Sequence, residues 1–131
     1  MNEMVKALQQ TGVFAVATVV NGEPKVRPFG AVAEFEGKLY LCTGNQKAVY
    51  RQIKAHPQVQ ICGWNADATW VRLEGTLVED SRLEAKEAML QAVPILQKMY
   101  RVDDGVFTVF YLDQAKAWHC TMTGEPVPFT A

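Results

Sequence analysis

The sequence predicts a mainly β fold with peripheral helices, arranged as a split antiparallel barrel of six or seven strands. Apolar segments of strand length recur within 131 residues, and tight turns join most of them. Strands joined by tight turns are antiparallel, and so many in a short chain favour a small barrel over an open sheet. A helix predicted at 46–55 interrupts the strand series, so the barrel is expected to be split at this crossover.

The length and composition of the chain predict one globular domain spanning residues 1–131. Hydrophobic residues make up 49% of it, and the longest apolar run, at 13–20, is too short to span a bilayer. A formal net charge of -1 argues against nucleic acid or an anionic membrane as a partner. Three cysteines without a CxxC pair and only two histidines predict free thiols, no metal site and a cytoplasmic location.

Strands are predicted from β-branched and aromatic runs that end at turn signals. Asn21-Gly22 is a strong hairpin signal, and Glu36-Gly37 predicts a second turn. Pro28 cannot donate a ladder hydrogen bond, so one stretch of the second strand is expected to be unpaired. The predicted strands are 13–20, 25–35, 38–43, 59–64, 69–79, 106–112 and 115–122.

Helices are predicted from apolar residues at helical spacing and from caps and prolines. Ser81 and Glu84 form a Ser-x-x-Glu pattern, which predicts a capping box at the start of a helix. Pro57 ends the preceding helix, and Pro94 begins a further helical piece. The predicted helices are an opening one that Gly12 closes, 46–55, 81–92 and the piece from residue 94.

The stretch KVRPFG places Arg27 and Phe29 on one face of the second strand. A guanidinium beside an aromatic ring suits a planar, partly anionic ligand, and Gly30 lets such a ligand approach closely. Taken alone, the stretch favours the plainer interpretation, a surface arginine and a core phenylalanine on an edge strand.

The stretch LCTGNQK joins the third strand to the helix at 46–55, and two interpretations are open. In one, Asn45 is a helix cap and Lys47 a solvated charge. In the other, the junction binds a phosphate, because unpaired N–H groups at a helix N-terminus attract anions and Thr43 adds a hydroxyl donor. Lys47 opposes the helix dipole there, which weakly favours a compensating anion.

The stretch WVRLEG places Trp70, Arg72 and Glu74 on one face of the fifth strand and apolar residues on the other. Tryptophan is enriched at interfaces, so this face suits a dimer contact, and a solvated face is the alternative. Trp118 raises the same question near the end of the chain.

The sequence contains neither a P-loop nor a GxGxxG pattern, which disfavours nucleotide hydrolysis and Rossmann-type NAD binding. No nucleophile and base form a recognisable pair. His56 is expected at a helix end and His119 in a structural role. The prediction is therefore that no side chain is an obligatory catalytic acid or base.

Together, VRPFG, the Glu-Gly turn and LYLCTGNQKAVYRQIKAHPQVQIC resemble the pyridoxamine 5'-phosphate oxidase-like family of FMN-binding split barrels. The resemblance covers residues 10–80 well, through WVRLEGTLVED, and the remainder by element order. It implies that Arg27 and Lys47 contact the FMN phosphate with help from Thr43. The full implied cofactor-binding set is Arg27, Pro28, Phe29, Gly30, Cys42, Thr43, Lys47, Trp70, Arg72 and Trp118.

Within that set, the resemblance implies that residues 28–30 lie along the isoalloxazine ring and that Trp70, Arg72 or Trp118 closes the site from a second subunit. Cys42 takes the place of a frequent tyrosine or phenylalanine. Gln46 stands where many members carry a second basic residue, which implies weaker phosphate binding.

The C-terminal segment departs from true pyridoxamine phosphate oxidases, because no arginine follows Arg101. The chain is instead similar to the short general members, including nitroimidazole-reductase-like ones. The resemblance implies an FMN-dependent oxidoreductase that acts on a small molecule as a homodimer. The alternatives are a flavin- or haem-binding carrier or sensor, with His119 as the suspected haem ligand, and a structural β-barrel dimer whose pocket is empty or binds F420.

Overall fold

The structure, a computed structural model, describes residues 2–131. The strands are β1 Phe14–Val20, β2 Glu23–Phe29, β3 Ala33–Phe35, β4 Lys38–Gly44, β5 Gln58–Trp64, β6 Trp70–Asp80, β7 Phe107–Cys120 and β8 Val127–Phe129. The helices are α1 Glu3–Thr11, α2 Ala48–Ala55, α3 Leu83–Ala92 and a 3-10 helix, Pro94–Lys98. No helix within the described residues is long and apolar enough to cross a membrane.

The strands form one antiparallel sheet in the order β2-β1-β5-β6-β7-β4-β3, with β8 added to β7. The edge strands β2 and β3 follow each other in the chain but do not pair, so the sheet curls without closing. This confirms the predicted split barrel. The gap between its two edges is where a ligand can enter.

The predicted strand 25–35 is two strands, because the chain leaves the sheet at residues 30–32. This confirms that part of the predicted strand is unpaired, although Pro28 itself lies opposite Ala15 in the register with β1. Pro28 is tolerated because β2 is an edge strand and has a partner on one side alone.

The two predicted strands 106–112 and 115–122 form a single strand, β7. The register of β6 against β7 shifts between Glu74 and Thr76, and this bulge absorbs the irregularity at Gln114, whose φ is 53°. Gly75 makes the shift possible, since a Cβ there would lie 2.8 Å from the Asp113 carbonyl oxygen. Strand β8 was not predicted.

The predicted capping box at Ser81 and Glu84 is wrong. Helix α3 begins at Leu83, its N-cap is Arg82, and no side chain caps it. The Asp80 carboxylate accepts a hydrogen bond from the Arg82 backbone N–H at 3.1 Å and so shapes the entry to the helix. The short polar residue that organises this turn is therefore an aspartate at the end of β6.

The core has two parts that together position the gap. Helix α1 covers the inner face of the sheet, where residues such as Leu8, Val16, Ile61 and Leu73 are fully buried. Helix α3 packs against β3, β4 and β7 in a second cluster that includes Met89. Fully burying one such side chain stabilises the fold by about 1.5–3 kcal/mol.

A polar network whose buried members are Tyr40 and Asp80 attaches α3 to the sheet. The Tyr40 hydroxyl donates to Asp80 at 2.7 Å, and Arg82 donates to the same carboxylate at 2.8 Å while also pairing with Glu36. The hydrogen bonds from Arg82, with that from Tyr40, hold the pKa of Asp80 well below its usual range. Burial, with the bond to Asp80, raises the pKa of Tyr40 to about 12.

The variant Asp80→Asn is expected to lose about 1–3 kcal/mol of stability near neutral pH, because it removes a charged acceptor from Tyr40 and Arg82. The folded pKa of Asp80 lies below the unfolded value of about 3.9, so its contribution is present above that value and is lost as pH falls through the folded pKa. Urea titrations at about pH 7 and about pH 3 should therefore show a difference between the two proteins that shrinks in acid. A pH-independent difference would contradict this account, and Asp103→Asn, at an exposed carboxylate, is the control.

Candidate functional site

A cleft of about 660 Å³ lies along the open β2 edge of the split barrel. Strand β2 and the segment after it form one wall, and the end of β4 with the start of α2 forms another. Seven of the ten predicted site residues line this cleft: Arg27, Pro28, Phe29, Gly30, Cys42, Thr43 and Lys47. The structure thus brings together two stretches that lie about 15 residues apart in sequence, KVRPFG and LCTGNQK.

Arg27 is held in place by protein acceptors on β1 and α2. Its Nη1 donates to the Val16 carbonyl oxygen at 3.1 Å and to the Thr18 hydroxyl at 2.9 Å, and its Nη2 donates to Gln52 Oε1. Burial lowers the pKa of Arg27, but a guanidinium stays protonated at neutral pH. The cleft therefore contains a fixed positive charge. The structure confirms the edge strand and the core-packed Phe29 of the plainer interpretation, but Arg27 is half-buried and hydrogen-bonded instead of lying free on the surface.

Lys47 lies at the N-cap position of α2, and no side chain caps this helix. Its backbone N–H donates to the Gly44 carbonyl oxygen at 3.1 Å, which forms the turn that leads into the helix. Among residues 2–131, no carboxylate lies within salt-bridge distance of its ammonium group. A free cation and an uncapped helix N-terminus thus occupy the same corner of the cleft.

The helix-cap interpretation of Asn45 is wrong. Its side-chain amide donates to the Gly105 carbonyl oxygen at 2.9 Å, and its backbone N–H donates to the Val106 carbonyl oxygen. Asn45 therefore ties the start of α2 to the loop before β7. This contact leaves the N-terminus of the helix open toward the cleft.

Thr43 and Cys42 come from the end of β4, where both are buried. Within the described chain, the Thr43 hydroxyl has no hydrogen-bond partner. Burial raises the pKa of the Cys42 thiol to about 12, and the nearby Lys47 ammonium offsets this in part. The thiol is therefore neutral at physiological pH and is not a nucleophile.

Iodoacetamide at about pH 8 is expected to leave Cys42 unmodified in the folded protein, because thiolates and not thiols are alkylated. The same residue should react readily once urea unfolds the chain. Peptide mass spectrometry of the two samples measures the difference. Equal labelling of Cys42 in both samples would show that its thiol is exposed or ionised, contrary to the structure.

The remaining wall of the cleft is apolar and was not predicted. It is formed by the segment around the 3-10 helix: Val93, Ile95, Leu96, Met99 and Tyr100. Ile95 and Met99 are 64% and 65% exposed, while Leu96 and Tyr100 anchor the segment in the core. The sequence signal for this wall was the number of large apolar residues after Pro94. There are more of them than one buried face of a short helix can accommodate.

Trp70, Arg72 and Trp118 do not line this cleft. They lie on the outer face of the sheet, where the Arg72 guanidinium is 5.2 Å from the centre of the Trp118 ring and Trp70 stacks on Trp64 at 5.7 Å. The predicted alternation of β6 is confirmed, since Val71 is buried and Arg72 is exposed. Any contact of the three residues with a cofactor would have to come from a second copy of the chain.

The outer face also contains a shallow apolar groove of about 490 Å³ beside the cleft. Val13, Val26 and Trp64 line it and are 65%, 69% and 55% exposed. Arg27 and Pro28 line both the groove and the cleft. The cleft therefore opens directly onto the exposed apolar face.

Neither histidine lines the cleft. His56 is the C-cap of α2, and its backbone N–H donates to the Gln52 carbonyl oxygen at 2.9 Å. His119 stacks on Phe129 of β8, with ring centres 4.0 Å apart. Of the described residues that line the cleft, none carries a carboxylate, so Arg27 and Lys47 contribute its charge.

The fold and the cleft together define a split-barrel protein with two cationic side chains, Arg27 and Lys47, in the cleft at its open edge. A family model described as pyridoxamine 5'-phosphate oxidase matches residues 1–119, and the chain belongs to this family. This confirms the family resemblance of the sequence. A search of curated proteins finds no match.

Several solved structures are similar to this chain. A NimC/NimA family protein from Clostridium acetobutylicum is 42% identical with a TM-score of 0.91, and the match covers 97% of this chain and 91% of that one. A pyridoxamine 5'-phosphate oxidase-related, FMN binding protein from Nostoc punctiforme is 22% identical, with a TM-score of 0.71 and coverages of 95% and 84%. A heme binding protein from Mycobacterium smegmatis is 18% identical, with a TM-score of 0.71 and coverages of 96% and 57%. The last two share the fold.

Proposed function

We propose that this protein binds FMN in the cleft and is an FMN-dependent oxidoreductase for a small organic molecule. One observation carries the proposal: a fixed guanidinium, an unpaired ammonium and an uncapped helix N-terminus converge beside apolar walls. FMN has the matching chemistry, since its phosphate is a dianion and its ring is flat and largely apolar. Relatives support the choice, because one similar structure is an FMN binding protein of the same fold.

The phosphate belongs at the start of α2. Lys47 supplies a mobile charge there, Arg27 supplies a fixed one, and the Thr43 hydroxyl is free to donate. Charge-assisted hydrogen bonds of this kind contribute about 1.5–3 kcal/mol each.

The isoalloxazine ring belongs beside residues 28–30. Phe29 packs against the core and fixes this segment, while a side chain at Gly30 would extend into open space. Backbone groups leave the sheet here, and they become available to the polar edge of a ring. The exposed side chains of Ile95 and Met99 form the facing apolar wall.

Bound FMN would supply the hydride and electron transfer, while the protein binds, orients and shields it. The cleft contains no carboxylate or histidine among the described residues that line it, and the Cys42 thiol is neutral. That no side chain is an obligatory acid or base stays a prediction of this proposal. The free thiols of all three cysteines support a reducing, cytoplasmic setting.

The site is completed by a second copy of the chain. The outer face exposes the apolar side chains of Val13, Val26 and Trp64 around one groove, and this groove shares Arg27 and Pro28 with the cleft. A homodimer through this face would cover it. The same association would bring Trp70, Arg72 or Trp118 of the partner subunit toward the bound ring.

The absorption spectrum of the purified protein tests the proposal. A two-band flavin spectrum that NADH or NADPH bleaches without oxygen, and that a small organic acceptor restores, is the expected result. A protein that stays colourless and binds no added FMN would contradict it. A Soret band would instead indicate haem, which the positions of His56 and His119 outside the cleft disfavour.

A further inference from the structure

Gln52 contacts Arg27 and lines the cleft, although no motif in the sequence predicts a role for it. It lies on α2 four residues after Ala48, so the two share the helix face that borders the cleft. It is half-buried, and its Oε1 accepts a hydrogen bond from Nη2 of Arg27. Gln52 thereby connects the fixed cation on β2 to the helix that begins at Lys47.

The contact with Arg27 fixes the orientation of the Gln52 amide. Its oxygen is occupied by a guanidinium donor, so its nitrogen points the other way with two N–H groups. In the part of the chain that the structure describes, this nitrogen has no hydrogen-bond partner. A neutral donor with a fixed orientation thus borders a cleft whose other polar groups are cations and a hydroxyl.

Gln52 provides the acceptor for one of the two terminal nitrogens of Arg27. Its Nη1 is held by the Val16 carbonyl oxygen and the Thr18 hydroxyl, while Gln52 holds its Nη2. Without Gln52 the guanidinium group is less fixed in orientation. A ligand that binds it must then pay the entropy cost of fixing that orientation. Two of the five N–H donors of Arg27, at Nε and Nη2, have no acceptor among residues 2–131 and are free for a ligand.

We propose that Gln52 is a positioning residue that holds the Arg27 guanidinium for the flavin phosphate and donates its own amide N–H to that phosphate. The pair thereby makes the cleft selective for phosphorylated flavin over riboflavin. This inference rests on the proposed function, since it assigns a role in the same FMN site. The contribution of Gln52 to flavin affinity should therefore depend on the phosphate and not on the isoalloxazine ring.

Three variants separate the possible roles. Gln52→Glu keeps an acceptor for Arg27 but replaces the amide donor with a charged oxygen that repels a phosphate. Gln52→Met has a similar length and removes both the acceptor and the donor. Lys54→Gln changes the net charge by the same amount as Gln52→Glu on the same helix, but it lies outside the cleft and pairs with Glu79.

Dissociation constants for FMN and for riboflavin, measured by flavin fluorescence on the full chain, give the test. Gln52→Glu should weaken FMN binding at least about tenfold, and Gln52→Met by roughly threefold to tenfold, with riboflavin binding unchanged within about twofold. Lys54→Gln should leave the ratio of the two constants unchanged. Melting temperatures are measured in parallel, and Gln52→Met decides the question if Gln52→Glu does not fold.

Two results would overturn the inference. Equal losses for FMN and riboflavin would mean that Gln52 supports only the structure, and no loss for either would mean that it has no role in the site. Both results leave the proposed function intact. A wild-type protein that binds neither flavin would overturn the proposed function and this inference together.

Discussion

Lys47→Ala is expected to lower the affinity for FMN by roughly 10- to 100-fold, because it removes one charge-assisted contact with the phosphate. The melting temperature of the apoprotein should hardly change. Lys47 is exposed, and none of the described residues forms an ion pair or a cap with its side chain. Fluorescence titration with FMN and a thermal melt of flavin-free protein measure the two effects separately.

The matched control is Lys54→Ala on the same helix, where the ammonium pairs with Glu79 at 3.0 Å and faces away from the cleft. It should leave FMN affinity unchanged within about twofold. If Lys47→Ala lowers the melting temperature as much as it lowers FMN retention, the lysine serves the fold alone. The phosphate would then have to bind elsewhere.

Val26→Glu is expected to convert a dimer into a monomer that retains little FMN. The side chain is 69% exposed in one chain, so the substitution should not unfold the protein. Burying an unpaired carboxylate in an apolar interface costs several kcal/mol, which corresponds to at least about a 100-fold loss in association. Sedimentation velocity with detection at flavin wavelengths reports both the mass and the bound cofactor.

Leu83→Glu is the control for this face, because Leu83 is similarly exposed, at 52%, but begins α3 and lines neither the groove nor the cleft. It should remain dimeric with FMN bound. A Val26→Glu protein that stays dimeric would show that the outer face is not the interface. A monomer with full FMN affinity would show that the partner subunit does not complete the site.

The sequence predicted the architecture because its signals are local. Alternating apolar residues and turns such as Asn21-Gly22 determine which segments pair, and the structure has that hairpin between β1 and β2. The family resemblance then joined two separated stretches into one site. The structure places Arg27 and Lys47 in one cleft, while their contact with an FMN phosphate stays a prediction.

The errors have physical causes that a single sequence does not reveal. At the start of α3, Asp80 and not the predicted Ser81 accepts the hydrogen bond from the backbone. The same Asp80 carboxylate also accepts a hydrogen bond from Tyr40 across the sheet. Asn45 binds the loop at Gly105 instead of capping α2. In each case a contact distant in sequence determined what a polar side chain does.

The cleft residues that the sequence did not predict reach the cleft only through tertiary packing. Gln52 is an ordinary helix residue until β2 places Arg27 against it. Ile95 and Met99 look like core residues in the sequence, but in the structure they are exposed and line the cleft. Such roles depend on how distant elements pack, which local periodicity does not encode.

The central claim is that a phosphate binds where β4 passes into α2, between Lys47 and Arg27. A crystal structure of the protein grown with FMN tests it most directly. The account predicts phosphate oxygens about 2.7–3.2 Å from Lys47 Nζ and from a guanidinium nitrogen of Arg27. Density for FMN with its phosphate outside this corner, or a corner filled by protein side chains alone, would contradict it.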